Sequence, residues 1–532
     1  MPTGPSTTER ILDAFFDDTF VGVHSLATFD YLILIPYFVM LAVLSFYGCH
    51  RFAMIRGYYK GRRGQAKQPP AHFTQLPRVT IQLPLYNERY VVERLLESAS
   101  QVRYPEGLLQ IQVLDDSTDD TAPFTRALVE DYIARGFNME YRHRSNRKGY
   151  KAGALQEGLS TATGELIAIF DADFVIPADF LEKTVHYFTD EKVGVVQTRW
   201  TYLNRHFNLL TEVQTMLLDG HFVLEHGARQ AQGLFFNFNG TAGIMRKAMI
   251  EDAGGWQHDT LTEDSDLSYR AQLKGWRFVY LPHVECPSEL PVETYSFQVQ
   301  QSRWAKGLTQ CAKKLLPMVL SSEIPFRAKL EAFCHLTPNI SYPLMILVSV
   351  LMLPVMIVRF YMGPLEMLLL DFPLIIANFV SLTAFYLVAQ RELDPRGWKR
   401  TIWFIPALMA AGVALTISNT KAVLEALFGV ETSFARTAKY NLSDKKVKLE
   451  AVTYRRKSGW LPFAEIAAGF GFLAMVYYCV ETLNLLSIPF LMIFVSGYLW
   501  AGFSTLWQEY QGRLQFKAAK AALEAAPQPL DR

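Results

Sequence analysis

Two carboxylates stand one residue apart in Asp171-Ala172-Asp173, at the end of the apolar run Leu166-Ile167-Ala168-Ile169-Phe170. Side chains alternate along a strand, so both carboxylates face one way if the extended geometry runs past the strand's end. Converging like charges repel unless a cation lies between them. Hard oxygen donors suit Mg2+ or Mn2+, shared with the phosphates of a nucleotide. Taken alone, the pair is as well explained by an acidic turn, and its neighbours in the sequence are what favour chemistry.

Asp115-Asp116-Ser117-Thr118-Asp119-Asp120 places four carboxylates in six residues. In Leu83-Pro84-Leu85-Tyr86-Asn87-Glu88 the Tyr86 ring can cover a base, and Asn87 and Glu88 can bond to base or ribose. Asn146-Arg147-Lys148-Gly149-Tyr150-Lys151-Ala152-Gly153 brings cations to a helix start, where Lys148 or Lys151 can reach a diphosphate. Its spacing is not that of the nucleoside-triphosphate P-loop. Phe235-Phe236-Asn237-Phe238-Asn239-Gly240-Thr241-Ala242-Gly243 has the aromatic faces and amides that grip sugars, with Phe236, Asn239 and Gly240 as candidates. Core packing accounts for the phenylalanines equally well.

Thr262-Glu263-Asp264 precedes a helix. Held near a metal site, Asp264 suits a general base whose pKa is raised by burial and neighbouring carboxylates, although the tripeptide in isolation is better explained as a helix cap. Gln300, Arg303 and Trp304 fall three and four apart on a helix and share a face. Arg303 can meet a diphosphate and Trp304 a sugar ring; Trp is also a membrane-interface anchor.

The elements that must position these groups follow from periodicity. Strands are expected at 79–83, 109–114, 139–142 and 166–170, with helices at 88–99, 121–135 and 151–160. This alternation predicts an α/β domain with a mostly parallel sheet covered on both faces, binding its ligand at the carboxyl ends of the strands. Both acidic clusters lie at such ends.

Half of the 532 residues are apolar and the net charge is +1, so charge makes no case for nucleic acid. The five cysteines show no Cys-x-x-Cys spacing, which argues against a zinc site or disulfide framework. Apolar residues concentrate near the N-terminus and after residue 338, the pattern of a membrane protein with a polar insert. The expected order is an extracytoplasmic segment at 1–30, a first span at 31–49, the catalytic domain at 77–296 and interfacial helices at 297–336. Two spans at 339–389 follow, then an interfacial helix at 401–429, a basic cytosolic segment at 430–460, two further spans at 461–505 and a cytosolic tail at 506–532, Ala-rich and loose from Lys517. Arg51, Arg56, Lys60, Arg62, Arg63 and Lys67 behind the first span place the domain in the cytosol. The acidic 1–30 segment is no cleavable signal peptide.

The order of these blocks in one insert between apolar spans resembles the family 2 inverting glycosyltransferases. Within them it resembles the processive cellulose-synthase-like group, nearest the A and C classes that make β-mannan, glucomannan or β-glucan. The resemblance covers 77–505 and is strongest over 86–304. It implies a GT-A-like Rossmann-type catalytic domain set between transmembrane helices. Asp115, with Tyr86, Glu88, Asp116, Lys151 and Asp171, would bind the nucleotide sugar, and Asp171 and Asp173 would hold Mg2+ or Mn2+. Asp264 would be the base. Phe236, Asn239, Gly240, Thr262, Glu263, Gln300, Arg303 and Trp304 would bind the acceptor and diphosphate. Phe434-Ala435-Arg436-Thr437-Ala438-Lys439 is similar to the family's F-x-V-T-x-K gating loop, with Arg436 in place of its valine.

Implied partners are UDP-glucose or GDP-mannose, a growing polysaccharide and membrane lipids, with no nucleic acid. The implied location is a plasma or inner membrane, or the Golgi in a eukaryote. Two rival readings stand beside the polymerase: a transferase adding one sugar to a membrane lipid, and a non-catalytic export or scaffold subunit. Donor sugar and linkage are not legible in any motif.

Overall fold

The computed structural model describes residues 23, 25–61, 68–362, 364–431, 437, 439–442, 459–482 and 484–525. A seven-stranded mixed sheet is the frame of the site. Its strands are β1 (Val79–Leu85), β2 (Leu109–Asp115), β3 (Met139–His143), β4 (Leu166–Ile169), β5 (Val193–Tyr202), β6 (Gly243–Arg246) and β7 (Arg277–Ser288). Their spatial order is β3-β2-β1-β4-β6-β5-β7. β1 pairs in parallel with β2 on one side and β4 on the other, so the order reverses there. Open α/β sheets bind ligands at the carboxyl ends of strands at such a reversal.

Register at this edge is set by buried polar side chains. Thr80 lies opposite Gln110, and Gln82 opposite Gln112. Thr80 Oγ1 donates to Gln110 Oε1 at 2.8 Å, Gln82 Nε2 to Gln112 Oε1 at 3.0 Å, and Gln112 Nε2 to Glu140 Oε2 on β3 at 2.9 Å. A one-residue slip would strand these groups on the wrong face, unpaired and buried.

Helices α2 (Val92–Ser100), α3 (Thr121–Ala134) and α4 (Tyr150–Gly158) follow β1, β2 and β3, close to expectation. α2 buries Val92, Leu95, Leu96 and Ala99 with β1 and β4, whereas α4 packs Ala152 and Leu155 with Ile167 and Ile169 in a second apolar cluster. Three strands add to those expected. β6 runs antiparallel to β4 and β5, and β5 pairs in parallel with β7 across a register shift at Thr198/Arg199. Pro282 and Pro287 within β7 blunt the sequence signal of a strand, and the irregular register accommodates them.

Beyond the sheet come α5 (Leu209–Asp219), α6 (Glu263–Leu273), α7 (Thr294–Ser321) and α8 (Phe326–Leu336). Further helices are α9 (Ser341–Arg359), α10 (Ser381–Leu393), α11 (Ile405–Ala414), α12 (Thr416–Phe428), α13 (Leu461–Glu481) and α14 (Ile488–Ala525). Among the described residues, five helices are long and apolar enough to cross a membrane: Thr28–Gly61 (α1), Pro338–Arg359, Leu369–Leu393, Leu461–Glu481 and Ile488–Leu514. α1, α9, α13 and α14 share one apolar cluster that includes Leu34, Val355, Phe472 and Tyr498.

Three expectations are corrected. α1 does not stop near residue 49 but continues as helix past Arg51, Arg56 and Lys60 to Gly61. The 401–429 stretch is not one helix: Trp398–Ala414 and Thr416–Phe428 meet at a 41° bend. The bend leaves the Ala414 carbonyl available to Gln298 Nε2 of α7, at 3.1 Å. α14 continues to Ala525 where a loose tail was expected; Ala is the strongest helix former.

Candidate active site

β4 ends at Ile169, and the chain turns at once. The Phe174 amide donates to the Asp171 carbonyl at 3.1 Å. Asp171 and Asp173 therefore lie in a turn, not on a continued strand, and do not simply share a strand face. Each instead holds a lysine from elsewhere. Asp171 Oδ1 accepts from Lys151 Nζ at 2.5 Å, and Asp173 Oδ2 accepts from Lys439 Nζ at 2.5 Å. Lys151 also donates to the Gly240 carbonyl at 2.8 Å, tying α4 to the Phe236–Ala242 loop.

One open cleft gathers Tyr86, Glu88, Asp116, Lys151, Asp171, Asp173, Asn239, Gly240, Thr262, Glu263, Asp264, Gln300, Arg303, Trp304, Thr437 and Lys439. These residues span more than 350 positions of sequence, from 86 to 439. Two expected contacts lie outside it. Phe236 is buried in the core, its ring 5.3 Å from His226 and 5.8 Å from Phe278, so packing explains it. Asp115 is fully buried and already engaged: its Oδ1 accepts from the Ser117 amide at 2.8 Å and its Oδ2 from the Tyr141 hydroxyl at 2.8 Å. It shapes the turn after β2 from below. Phe434 lies outside the described residues.

Several groups in and behind the cleft were not foreseen. Behind it, Arg144 chelates Asp116 at 2.7 and 2.5 Å and donates to the Tyr150 carbonyl at 2.9 Å, joining the end of β2 to the first residue of α4. The Arg147 guanidinium lies 3.3 Å from the Tyr86 ring centroid, so one face of that ring is already covered. Glu289, just past β7, accepts the amides of Tyr440 at 2.7 Å and Leu442 at 3.1 Å. With Asp173 it docks the end of the candidate gating segment on the catalytic domain. Because β7 carries no clear strand signal, no local pattern pointed to Glu289. Glu289→Ala is expected to release this segment. Trypsin should then cut after Lys439 sooner than in the unsubstituted chain, and unchanged cleavage would count against the docking role.

Asp264 sits in the first turn of α6, half-buried, its Oδ1 accepting from the Ser265 amide at 2.8 Å. Burial first, then the Glu263 charge, pushes its carboxyl up to about 7, against the opposing pull of the Ser265 amide and Lys151. Burial likewise raises Glu263. Gly240 lies against this base: a Cβ there would stand 3.1 Å from Asp264 Oδ2 and 3.5 Å from Lys151 Nζ, in a backbone with φ +78°.

α7 closes the other wall. Its Gln300, Arg303 and Trp304 face the cleft, as their spacing predicts. Its remaining surface is pinned elsewhere: Gln298 to Glu465 at 2.7 Å, Ser302 to Asn419 at 3.0 Å and Lys306 to Glu425 at 3.0 Å. Gln310 Oε1 accepts the Leu261 amide at 2.9 Å, so α7 also holds the turn before Asp264. A Cβ on Gly307 would come within 2.5 Å of Thr262 Cγ2 and 2.9 Å of its amide nitrogen. Gly307→Val is therefore expected to push that turn away and lower turnover about 10²-fold, the cost of an ångström's misplacement. Gly307→Ala should do less, and equal rates for all three chains would refute the contact's importance.

The oxygen donors of the cleft bear on whether it can take a divalent cation such as Mg2+ or Mn2+. Among the described residues no group of three His, Cys, Asp or Glu side chains could hold one. Two aspartates of hard oxygen still fit Mg2+ or Mn2+, which characteristically takes one or two carboxylates and fills its shell from phosphates and water.

Residues 77–307 match the family described as "Glycosyltransferase like family 2". Among curated proteins the chain is 40% identical over 260 residues to glucomannan 4-beta-mannosyltransferase 1 of Oryza sativa subsp. japonica, covering 48% of this chain and 50% of that one. It is 41% identical over 271 residues to glucomannan 4-beta-mannosyltransferase 1 of Cyamopsis tetragonoloba, covering 49% and 51%. The chain spans about half the length of the curated relatives it matches. In fold it is similar to the mannosyltransferase PcManGT of Pyrobaculum calidifontis, solved with GDP-Man and Mn2+, at a TM-score of 0.50 and 21% identity over 74% of this chain and 100% of that one. Residues 77–307 thus carry a domain like that of the family 2 glycosyltransferases, and over about half its length the chain is similar to glucomannan 4-beta-mannosyltransferases.

Proposed function

We propose that this chain is a membrane-embedded, inverting β-mannosyltransferase that extends a mannan or glucomannan from GDP-mannose and passes the product outward through its apolar helices. The carrying observation is Asp264. It is a carboxylate raised to about 7, at the meeting point of Lys151, Gly240 and the Gln300–Trp304 face. The names of the 40–44% identical relatives support mannose over glucose. The five apolar helices support the membrane, and the docked residues 439–442 support a loop that covers the donor.

In the reaction the acceptor hydroxyl gives its proton to Asp264. Its oxygen attacks the anomeric carbon, the bond from that carbon to the diphosphate breaks with its electron pair, and the configuration inverts. Lys151 and Arg303 offset the charge that develops on the departing diphosphate. A divalent cation held by Asp171 and Asp173 would add Lewis-acid stabilisation of the same leaving group.

The test uses the full chain in nanodiscs with Mg2+ or Mn2+, offered GDP-mannose and UDP-glucose separately. A ladder digested by an endo-β-mannanase, formed only with GDP-mannose, is the expected result. A ladder from UDP-glucose alone moves the reading to a glucan. A single lipid-extractable glycoside overturns the polymerase, and no release of nucleoside diphosphate from either donor overturns the enzyme.

A further inference from the structure

Two histidines converge on the cleft residue Asn239 from the π-helical turn Gly220–His226, which continues α5. In an α-helix, residues five apart point to different sides. The wider π turn, a form that recurs at functional sites, brings His221 and His226 onto one side with ring centroids 4.4 Å apart. His221 Nε2 lies 3.1 Å from Asn239 Oδ1, which also accepts from Asn237 Nδ2 at 2.9 Å. His226 Nε2 lies 3.0 Å from Asn239 Nδ2 and 3.1 Å from the Asn237 carbonyl oxygen. Burial, with His221 and Arg229 beside it, holds the pKa of His226 well below its ordinary value, and the neutral ring accepts the Asn239 amide hydrogen at Nε2 in the tautomer that carries its proton on Nδ1, a buried atom with no hydrogen-bond partner among the described residues.

The pair is braced from behind. His221 Nδ1 is 2.8 Å from Glu225, Glu225 pairs with the buried Arg229 at 3.5 Å, and Arg229 pairs with Glu331 at 2.9 Å. Glu331 in turn meets His50 of α1 at 2.8 Å. An amide side chain has two acceptor positions on oxygen and two hydrogens on nitrogen. At Asn239 both oxygen positions and one hydrogen are committed within the fold. One hydrogen is left, on a residue that lines the cleft beside Gly240 and hence beside Asp264.

We infer that His221 and His226 are positioning residues that lock the Asn239 amide so that its second N–H donates to an oxygen of the incoming acceptor sugar. This rests on the glycosyltransferase reading above. None of the sequence motifs contains either histidine.

The unsubstituted chain in nanodiscs is first assayed with GDP-mannose and a β-1,4-linked mannohexaose acceptor; absence of transfer there refutes the functional reading itself. With transfer established, acceptor KM and donor KM are measured for His221→Ala, His226→Ala, Asn239→Ala and His221→Gln. Acceptor KM is expected to rise about tenfold in the three alanine variants, the scale of one lost hydrogen bond, with donor KM within about twofold. His221→Gln, which returns an amide N–H toward Asn239, should recover most of the loss. The inference is overturned if acceptor KM is unchanged, or if donor and acceptor KM rise together. Should His226→Ala not fold, as judged by size exclusion and thermal melting, the contrast between His221→Ala and His221→Gln decides alone.

Discussion

Asp264→Asn is expected to stop glycosyl transfer and, at pH 8, to raise the melting temperature. Removing a general base costs about 10²–10⁴-fold in rate, while the isosteric amide keeps the first turn of α6. Donor binding should survive, because Lys151 keeps its hydrogen bonds to Asp171 and the Gly240 carbonyl. The stability effect follows from linkage. The folded chain raises this carboxyl from 3.8 to about 7, so it binds the proton more tightly than the unfolded chain does. The group's contribution is fully present below the unfolded value and is lost as pH rises through about 7. At pH 8 the native state carries an unfavourable buried charge that Asn lacks, whereas at pH 5.5, midway between the unfolded and folded values, the gap in melting temperature should be roughly half as wide, closing only below the unfolded value. For the same reason, kcat/KM of the unsubstituted chain should climb through about pH 7 as the base deprotonates. Thermal melts at both pH values, with a nucleoside-diphosphate release assay, check both arms. Equal melting temperatures at pH 8, or a rate within tenfold, would remove Asp264 from the role of base.

Asp171→Asn and Asp173→Asn are expected to lose at least about 10²-fold of activity each, the scale of removing one preorganised electrostatic contact to a leaving group. Both effects should depend on metal. EDTA should silence the unsubstituted chain and Mn2+ restore it, and each variant should need more Mn2+ for half-maximal rate. The variants differ in a second respect. Asp171→Asn unpairs Lys151 from Asp171 within the domain, whereas Asp173→Asn unpairs Lys439 from Asp173 and loosens residues 439–442. Only Asp173→Asn should therefore also hasten tryptic cleavage after Lys439. If either variant retains full activity in EDTA, a metal held by these carboxylates is wrong.

Much of this site was legible in the chain. Apolar runs located β1, β2 and β4, and the carboxylates closing the last two located their rim, because strand periodicity and burial are local properties. Helical spacing alone placed Gln300, Arg303 and Trp304 on one face of α7, which the structure turns to the cleft. Hydropathy likewise located the five apolar helices, since a span is recognised from its own composition.

Only tertiary structure decided which polar group answers which. Lys439 reaches Asp173 across 266 residues, and no local pattern encodes a pairing at that range. Asp115 and Asp116 look equivalent in sequence, yet one is sealed under Tyr141 and the other lines the cleft bound to Arg144. Phe236 and Asn239 belong to one motif, but the loop between β5's partner strand and the π turn sends the ring inward and leaves the amide at the surface of the site. β7 stayed hidden because its prolines mimic a loop until β5 supplies the ladder. The sequence by itself thus determined which residues could do chemistry and on which elements they ride. Their mutual neutralisation and the docking of distant segments were decided by the fold, because electrostatic pairing depends on distance in space and not along the chain.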